Sequence, residues 1–120
     1  MANIQYSHIN LEYLDLMADG DDSMKHVILG MLIIELPEEI QKMKALIQNQ
    51  NWTELSNLSH KLKSTLSYVG NEEMTLSNKA IEKFSKNQIS LDEIGALYNT
   101  LKKHLPSVVN ELNVELEKVS

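Results

Sequence analysis

The chain contains no cysteine and no arginine. Without cysteine there is no disulfide framework and no thiolate metal site, and nothing points to an oxidising compartment. Without arginine there is no bidentate guanidinium clamp for phosphate. All basic charge sits on eleven lysines, set against 17 acidic residues for a net charge of −6, and the lysines form no basic cluster. Nucleic-acid binding is therefore not expected, because it needs a concentrated positive face. Long hydrophobic runs are missing too. The longest, Val27 to Ile34, is interrupted by Gly30 and followed by Glu35, well short of the ~20 residues of a membrane span. No basic stretch followed by an apolar run opens the chain, so no signal peptide is read there. The expected location is the cytoplasm, with no membrane association. Glycine and proline are scarce, at four and two residues, and no segment sustains the apolar–polar alternation of a strand.

What remains is helical. With 120 residues and 42% hydrophobic content, the chain suits one domain, residues 1–120, with a single core. A short first helix is expected from about Leu11 to Ala18, with Asn10 as its cap, broken by Asp19-Gly20-Asp21. A long second helix should start near Asp22 or Ser23 and run to about Gln48, kinked or split at Pro37. Asn51 and Glu54 have capping-box spacing for a third helix ending at Val69, where Gly70 is a natural stop. Asn71 is positioned to cap a fourth helix, to about Ser85, and Ser90 with Glu93 forms a second capping box for the last. In that last helix Leu105, Val109, Leu112, Leu116 and Val119 make an inward stripe, and Pro106 should bend it. Short connections between long helices favour antiparallel neighbours. The expected fold class is all-α, an antiparallel four-helix bundle with a short extra N-terminal helix.

His60 lies in the most informative stretch. At roughly 100° per residue, the apolar positions Leu55, Leu58, Leu62, Leu66 and Val69 form one buried stripe, and Leu58 and Leu62 each sit roughly 200° from His60. The imidazole then points away from the core. Ser56, Lys63, Ser64 and Ser67 fall within roughly 60° of it, so small hydroxyl residues and one cation surround the ring. Taken alone, His-x-x-Lys on a helix also describes an ordinary exposed face. A metal ligand is disfavoured because His8, His26 and His104 have no ligand spacing to His60. A Ser-His-Asp hydrolase is disfavoured because serines on an exposed helical face make no pocket for a nucleophile.

The longer pattern His60-x-Leu62-Lys63-Ser64, with Gly70 ten residues after the histidine, resembles the signature of histidine-containing phosphotransfer (HPt) domains of two-component phosphorelays. Asn51-Trp52, Ile81-Glu82, Leu36-Pro37-Glu38 and the Ile9-Asn10, Leu14 and Gly20-Asp21 region extend the resemblance over about residues 8–118. Ser64 stands where glycine is commoner, and Thr65 and Ser67 replace smaller residues. The resemblance implies that His60 accepts a phosphoryl group from a receiver-domain aspartate and passes it to another receiver. It implies a carrier without autonomous catalysis, with response-regulator receiver domains or a hybrid sensor histidine kinase as partners. Magnesium would reside on the receiver, and this chain would need no cofactor. Lys63 would offset phosphoryl charge and disfavour the imidazolium. Ser56, Ser64 and Ser67 would keep the face open, and Glu82 would lie near the histidine, as orienting group or as plain surface carboxylate. Trp52 reads as a packing residue, and Met17, Met24, Met31, Met43 and Met74 as core or rim, some of them available for receiver docking. A monomer is the expected state. The chain carries no nucleotide-binding glycine motif, so it would not itself act as a kinase, although it could be one domain of a hybrid kinase. The competing reading is a helical adaptor or inhibitor that binds a kinase or receiver without being phosphorylated.

Overall fold

The computed structural model describes residues 6–119. The first five residues, part of the stretch read above for a signal peptide, and Ser120 lie outside it. Five α-helices follow in order: α1 Glu12–Ala18, α2 Asp22–Gln48, α3 Trp52–Val69, α4 Glu72–Asn87 and α5 Ile94–Lys118. The helix starts obey local chemistry. Asp21 accepts the N–H groups of Ser23 and Met24, Asn51 that of Glu54, and Asn71 that of Met74, each satisfying donors that a helix start leaves unpaired. Asn10 accepts the N–H of Glu12 at the head of α1.

Three expectations are corrected. Ser90 makes no side-chain cap. Its backbone is left-handed, its carbonyl accepts the N–H of Glu93, and a 3-10 turn over Leu91–Glu93 precedes α5. Of the two outcomes expected at Pro37 the split does not occur: α2 runs on through it, as α5 runs on through Pro106, where only a bend was expected. One missing N–H is a local loss, and the flanking Leu36 and Ile40 are anchored in the core. The inward line of α5 runs through Ile94, Tyr98, Leu101, Val108 and Leu112, whereas Leu105, Val109, Leu116 and Val119 are half-buried at its margins.

In the bundle α2 packs on α3, α3 on α4, α4 on α5, and α5 back on α2, while α1 lies across α2 and α3. The body measures 48 × 22 × 19 Å. Leu29, Leu32, Leu36 and Met43 of α2 meet Leu55, Leu62 and Leu66 of α3, Met74 and Ile81 of α4, and Ile94, Leu101 and Leu112 of α5 in one core. Each such side chain contributes roughly 1.5–3 kcal/mol by leaving water. Met43 and Met74 are core residues, whereas Met17, Met24 and Met31 are exposed. No helix among the described residues is long and apolar enough to cross a membrane.

The segment before α1 is held down along its length. Tyr6 donates to Glu115, and the His8 ring and main-chain N–H bond Glu111. The N–H of Asn10 donates to the carbonyl of Val69. Gly70 ends α3 with φ of 72°, and a Cβ there would collide with the main-chain oxygen of Asn10. Its position is thus required by both the left-handed backbone and the close approach.

Within the α2–α3 interface, Glu39 is buried and one of its carboxyl oxygens accepts from the Thr65 hydroxyl at 3.0 Å, while the other has no partner among the described residues. Burial pushes this carboxyl above its ordinary value, outweighing the Thr65 bond and the nearby Lys61 and Lys42. A carboxyl raised on folding costs nothing below its unfolded pKa and destabilises as pH rises through the folded value. The expected result for Glu39→Gln is a gain of about 1 kcal/mol at pH 8. The gain should vanish near pH 4, as read by denaturant titration at both pH values; an equal effect at both would refute the charge argument.

Candidate functional site

The site is built on the facing surfaces of α3 and α4. His60 is eight residues past the start of α3 and its side chain is 72% exposed. Opposite, Glu82 of α4 is 18% exposed and brings Oε2 to 2.7 Å from His60 Nδ1. Its Oε1 lies 3.3 Å from Lys63 Nζ. One carboxylate therefore bridges the histidine and the lysine one turn away. Burial pushes the Glu82 carboxyl up, but the hydrogen bonds it accepts from His60 and Lys63 outweigh this, and it titrates below its ordinary value.

This arrangement specifies the ring. An ionised carboxylate only accepts hydrogen bonds, so Nδ1 must carry a proton. In the neutral ring the lone pair is then on Nε2. Nε2 has no hydrogen-bond partner among the described residues, and it belongs to an exposed side chain. Nε2 is the ring nitrogen remote from the backbone, and it is the one left open. Lys63 does not act on the ring alone, since Glu82 stands between the two groups.

The remaining sequence candidates separate into two groups. Ser56 is half-buried and Ser64 and Ser67 are exposed on the His60 face. The Ser67 hydroxyl donates to the carbonyl of Lys63 within its own helix, so it is engaged and not free for a ligand. Gly70 is ten residues on, about 15 Å along the axis, and serves the helix end. Trp52 is half-buried against the core, as a packing residue should be.

The structure adds residues that periodicity did not single out. A shallow polar pocket of about 270 Å³ opens beside the ring, lined by Thr53, Ser56, Asn57, His60, Glu82, Ser85 and Lys86. The sequence expected no pocket here. Ser85 in it donates to the carbonyl of Ile81, and among the described residues no hydroxyl bonds the ring. A larger groove on the α2 flank of α3, between Leu46 and Leu58, holds none of the site's groups. Among the described residues no three His, Asp or Glu side chains are grouped to hold a metal ion. Beneath the site, Ser59 and Asn78 are buried and bonded to each other. The signal for them was weak, since polar residues on a core face leave a gap in the apolar pattern and nothing in the pattern names their partner.

A comparison with protein-family models matches the Hpt domain over residues 27–117. The match begins in α2 and ends in the last turn of α5, so it spans the four bundle helices and includes His60, Lys63 and Glu82. No curated protein matches the chain.

Removing the carboxylate tests the assigned ring state. Glu82→Ala should move neutral His60 from the Nδ1–H form to a mixture in which Nε2–H is substantial, seen in the ¹⁵N shifts of the imidazole. An unchanged ratio would mean that Glu82 does not set the tautomer.

Proposed function

The chain belongs to the Hpt domain family and has a phosphotransfer role in two-component systems, and within that role we propose that His60 is the phosphoryl carrier. The carrying observation is the exposed imidazole whose Nδ1 is held by Glu82, 2.7 Å away, with Nε2 open to a partner. Hpt domains are phosphocarrier modules that work with receiver domains and kinases. In this reading Nε2 attacks the phosphorus of a receiver's aspartyl phosphate. The P–N bond forms, the P–O bond breaks, and the aspartate leaves as carboxylate. The ring keeps its Nδ1 proton and becomes cationic, and the negative charge of Glu82 offsets that cation. Return to a second receiver's aspartate reverses these steps.

Magnesium belongs to the receiver in this scheme, and the carrier supplies nucleophile, orientation and charge. Lys63 is 53% exposed and close enough to the ring's surroundings to meet phosphoryl oxygens. Surface for docking is available: Leu16 and Met17 of α1 and Met24, Val27, Met31 and Ile34 of α2 are exposed. Tyr13 of α1 also packs against Tyr68 of α3, the rings tilted by 46° with centroids 5.4 Å apart. We take the carrier to act as a monomer, because successive partners need the same face.

Transfer from a phosphorylated receiver tests this reading. The wild type should take up acid-labile, base-stable label, and His60→Gln should take up none while keeping its helical circular dichroism, because the ring contributes little to the core. Label persisting on another residue would overturn the assignment. Receiver binding without any label would favour the adaptor reading.

Lys63→Ala addresses the charge. Transfer should slow about tenfold, the loss of roughly 1.4 kcal/mol of transition-state stabilisation, with no change in melting temperature beyond about 2 °C. Unchanged kinetics would remove Lys63 from the mechanism.

A further inference from the structure

Directly behind His60 lies a polar pair that the phosphocarrier chemistry does not touch. Ser59 and Asn78 are 0% and 1% exposed. The Ser59 hydroxyl oxygen is 2.6 Å from Asn78 Oδ1 and 2.9 Å from the Asn78 carbonyl. Asn78 Nδ2 in turn donates to the carbonyl of Ser59 at 2.9 Å. The bonds run in both directions, and every polar atom of the two side chains finds a partner.

Their placement matters more than their number. Ser59 immediately precedes His60 on α3, and Asn78 is one turn before Glu82 on α4. The two helices are therefore joined by an inner rung, Ser59–Asn78, and an outer rung, His60–Glu82. The rest of the interface is built from side chains such as Leu55, Leu62, Leu66, Met74 and Ile81, whose packing is non-directional and tolerates sliding. Among the described residues the inner rung is the one buried hydrogen-bonded link between α3 and α4. A buried asparagine is well suited to fixing helix register, since any other register leaves its amide unpaired in a dry interface. The outer rung depends on that register. A shift of about 1 Å along the bond would carry the 2.7 Å contact beyond hydrogen-bonding range. Glu82 is also drawn to Lys63, which would hold the carboxylate away from the ring once the helices moved.

We infer that Ser59 and Asn78 are positioning residues for phosphotransfer: their reciprocal bonds set the α3–α4 register that keeps Glu82 on Nδ1 and Nε2 free. The inference rests on the reading of His60 as carrier for its kinetic consequence, but its structural consequence, the ring tautomer, is independent of that reading.

The test compares Asn78→Ala and Ser59→Ala with Val108→Ala, a core truncation in α5, a helix that contributes no group to the Ser59–Asn78 bonds. Two quantities are read under conditions where all variants are folded: the His60 tautomer by ¹⁵N shifts, and the rate of transfer from a phosphorylated receiver. Asn78→Ala should raise the Nε2–H fraction toward that of Glu82→Ala and slow transfer roughly ten- to hundredfold, the range that about 1 Å of misplacement produces. Ser59→Ala removes one side-chain bond and leaves the Asn78 Nδ2 bond to the Ser59 carbonyl, so its effect should be smaller and in the same direction. It also keeps the inference testable if Asn78→Ala does not fold. Val108→Ala should leave the tautomer and rate at wild-type values. If Asn78→Ala and Ser59→Ala behave like Val108→Ala, the pair is structural and the inference is overturned. If wild type and His60→Gln accept phosphoryl alike, the carrier reading fails, while the tautomer shift still supports or overturns the clamp.

Discussion

His60 and Glu82 meet because α3 and α4 lie side by side in one register, and the chemistry available at the site depends on that contact. A solvated histidine on a helix could present either nitrogen. With a carboxylate at 2.7 Å from Nδ1, the ring has a defined donor and a defined lone pair. The bond also ties a long, mobile acidic side chain to a fixed place, where it serves Lys63 with its other oxygen. One carboxylate thus organises two groups from a neighbouring helix.

The rest of the bundle serves to hold that contact on an open face. The core is apolar and continuous through α2 to α5, which makes the scaffold stable but does not by itself choose a register between two helices. Directional bonds do that, and here they are few. Ser59 with Asn78 links α3 to α4, Thr65 with Glu39 links α3 to α2, and the segment before α1 is pinned by Glu111, Glu115, Asn71 and Val69. α3 therefore carries a buried polar tether on each flank while its outer surface stays hydroxyl-rich and accessible. The Glu39 tether is a costly one, because half of its carboxyl is buried without a partner. Tyr6 and His8 of the N-terminal segment act differently, bonding the half-buried Glu115 and Glu111 and so ordering the chain against α5.

Much of this was legible in the residues. The caps at Asn51 and Asn71 and the stop at Gly70 are local signals, and local chemistry alone decides them. The capping pattern at Ser90 failed because the same short segment could close a 3-10 turn through its main chain. The α5 stripe was drawn along a line that tertiary packing displaced toward Leu101 and Val108. Helix periodicity correctly turned His60 outward, but it says nothing about which neighbour stands opposite. Glu82 could be read only as a possible orienting group, and Ser59 with Asn78 left no more than a gap in the apolar pattern that names no partner.

The sequence by itself determined the class of fold, the helix count and ends to within a few residues, and the outward direction of His60. These follow from propensity, capping and a 3.6-residue period, all of which act within a turn or two of the chain. Only the tertiary structure decided which ring nitrogen is held, that Lys63 shares a carboxylate with His60, and that a buried Ser–Asn pair lies beneath them. Those are contacts across 19 to 22 residues of sequence. Hydrogen bonds reach about 3 Å, so they exist only once the packing of α3 on α4 has set the register to that tolerance.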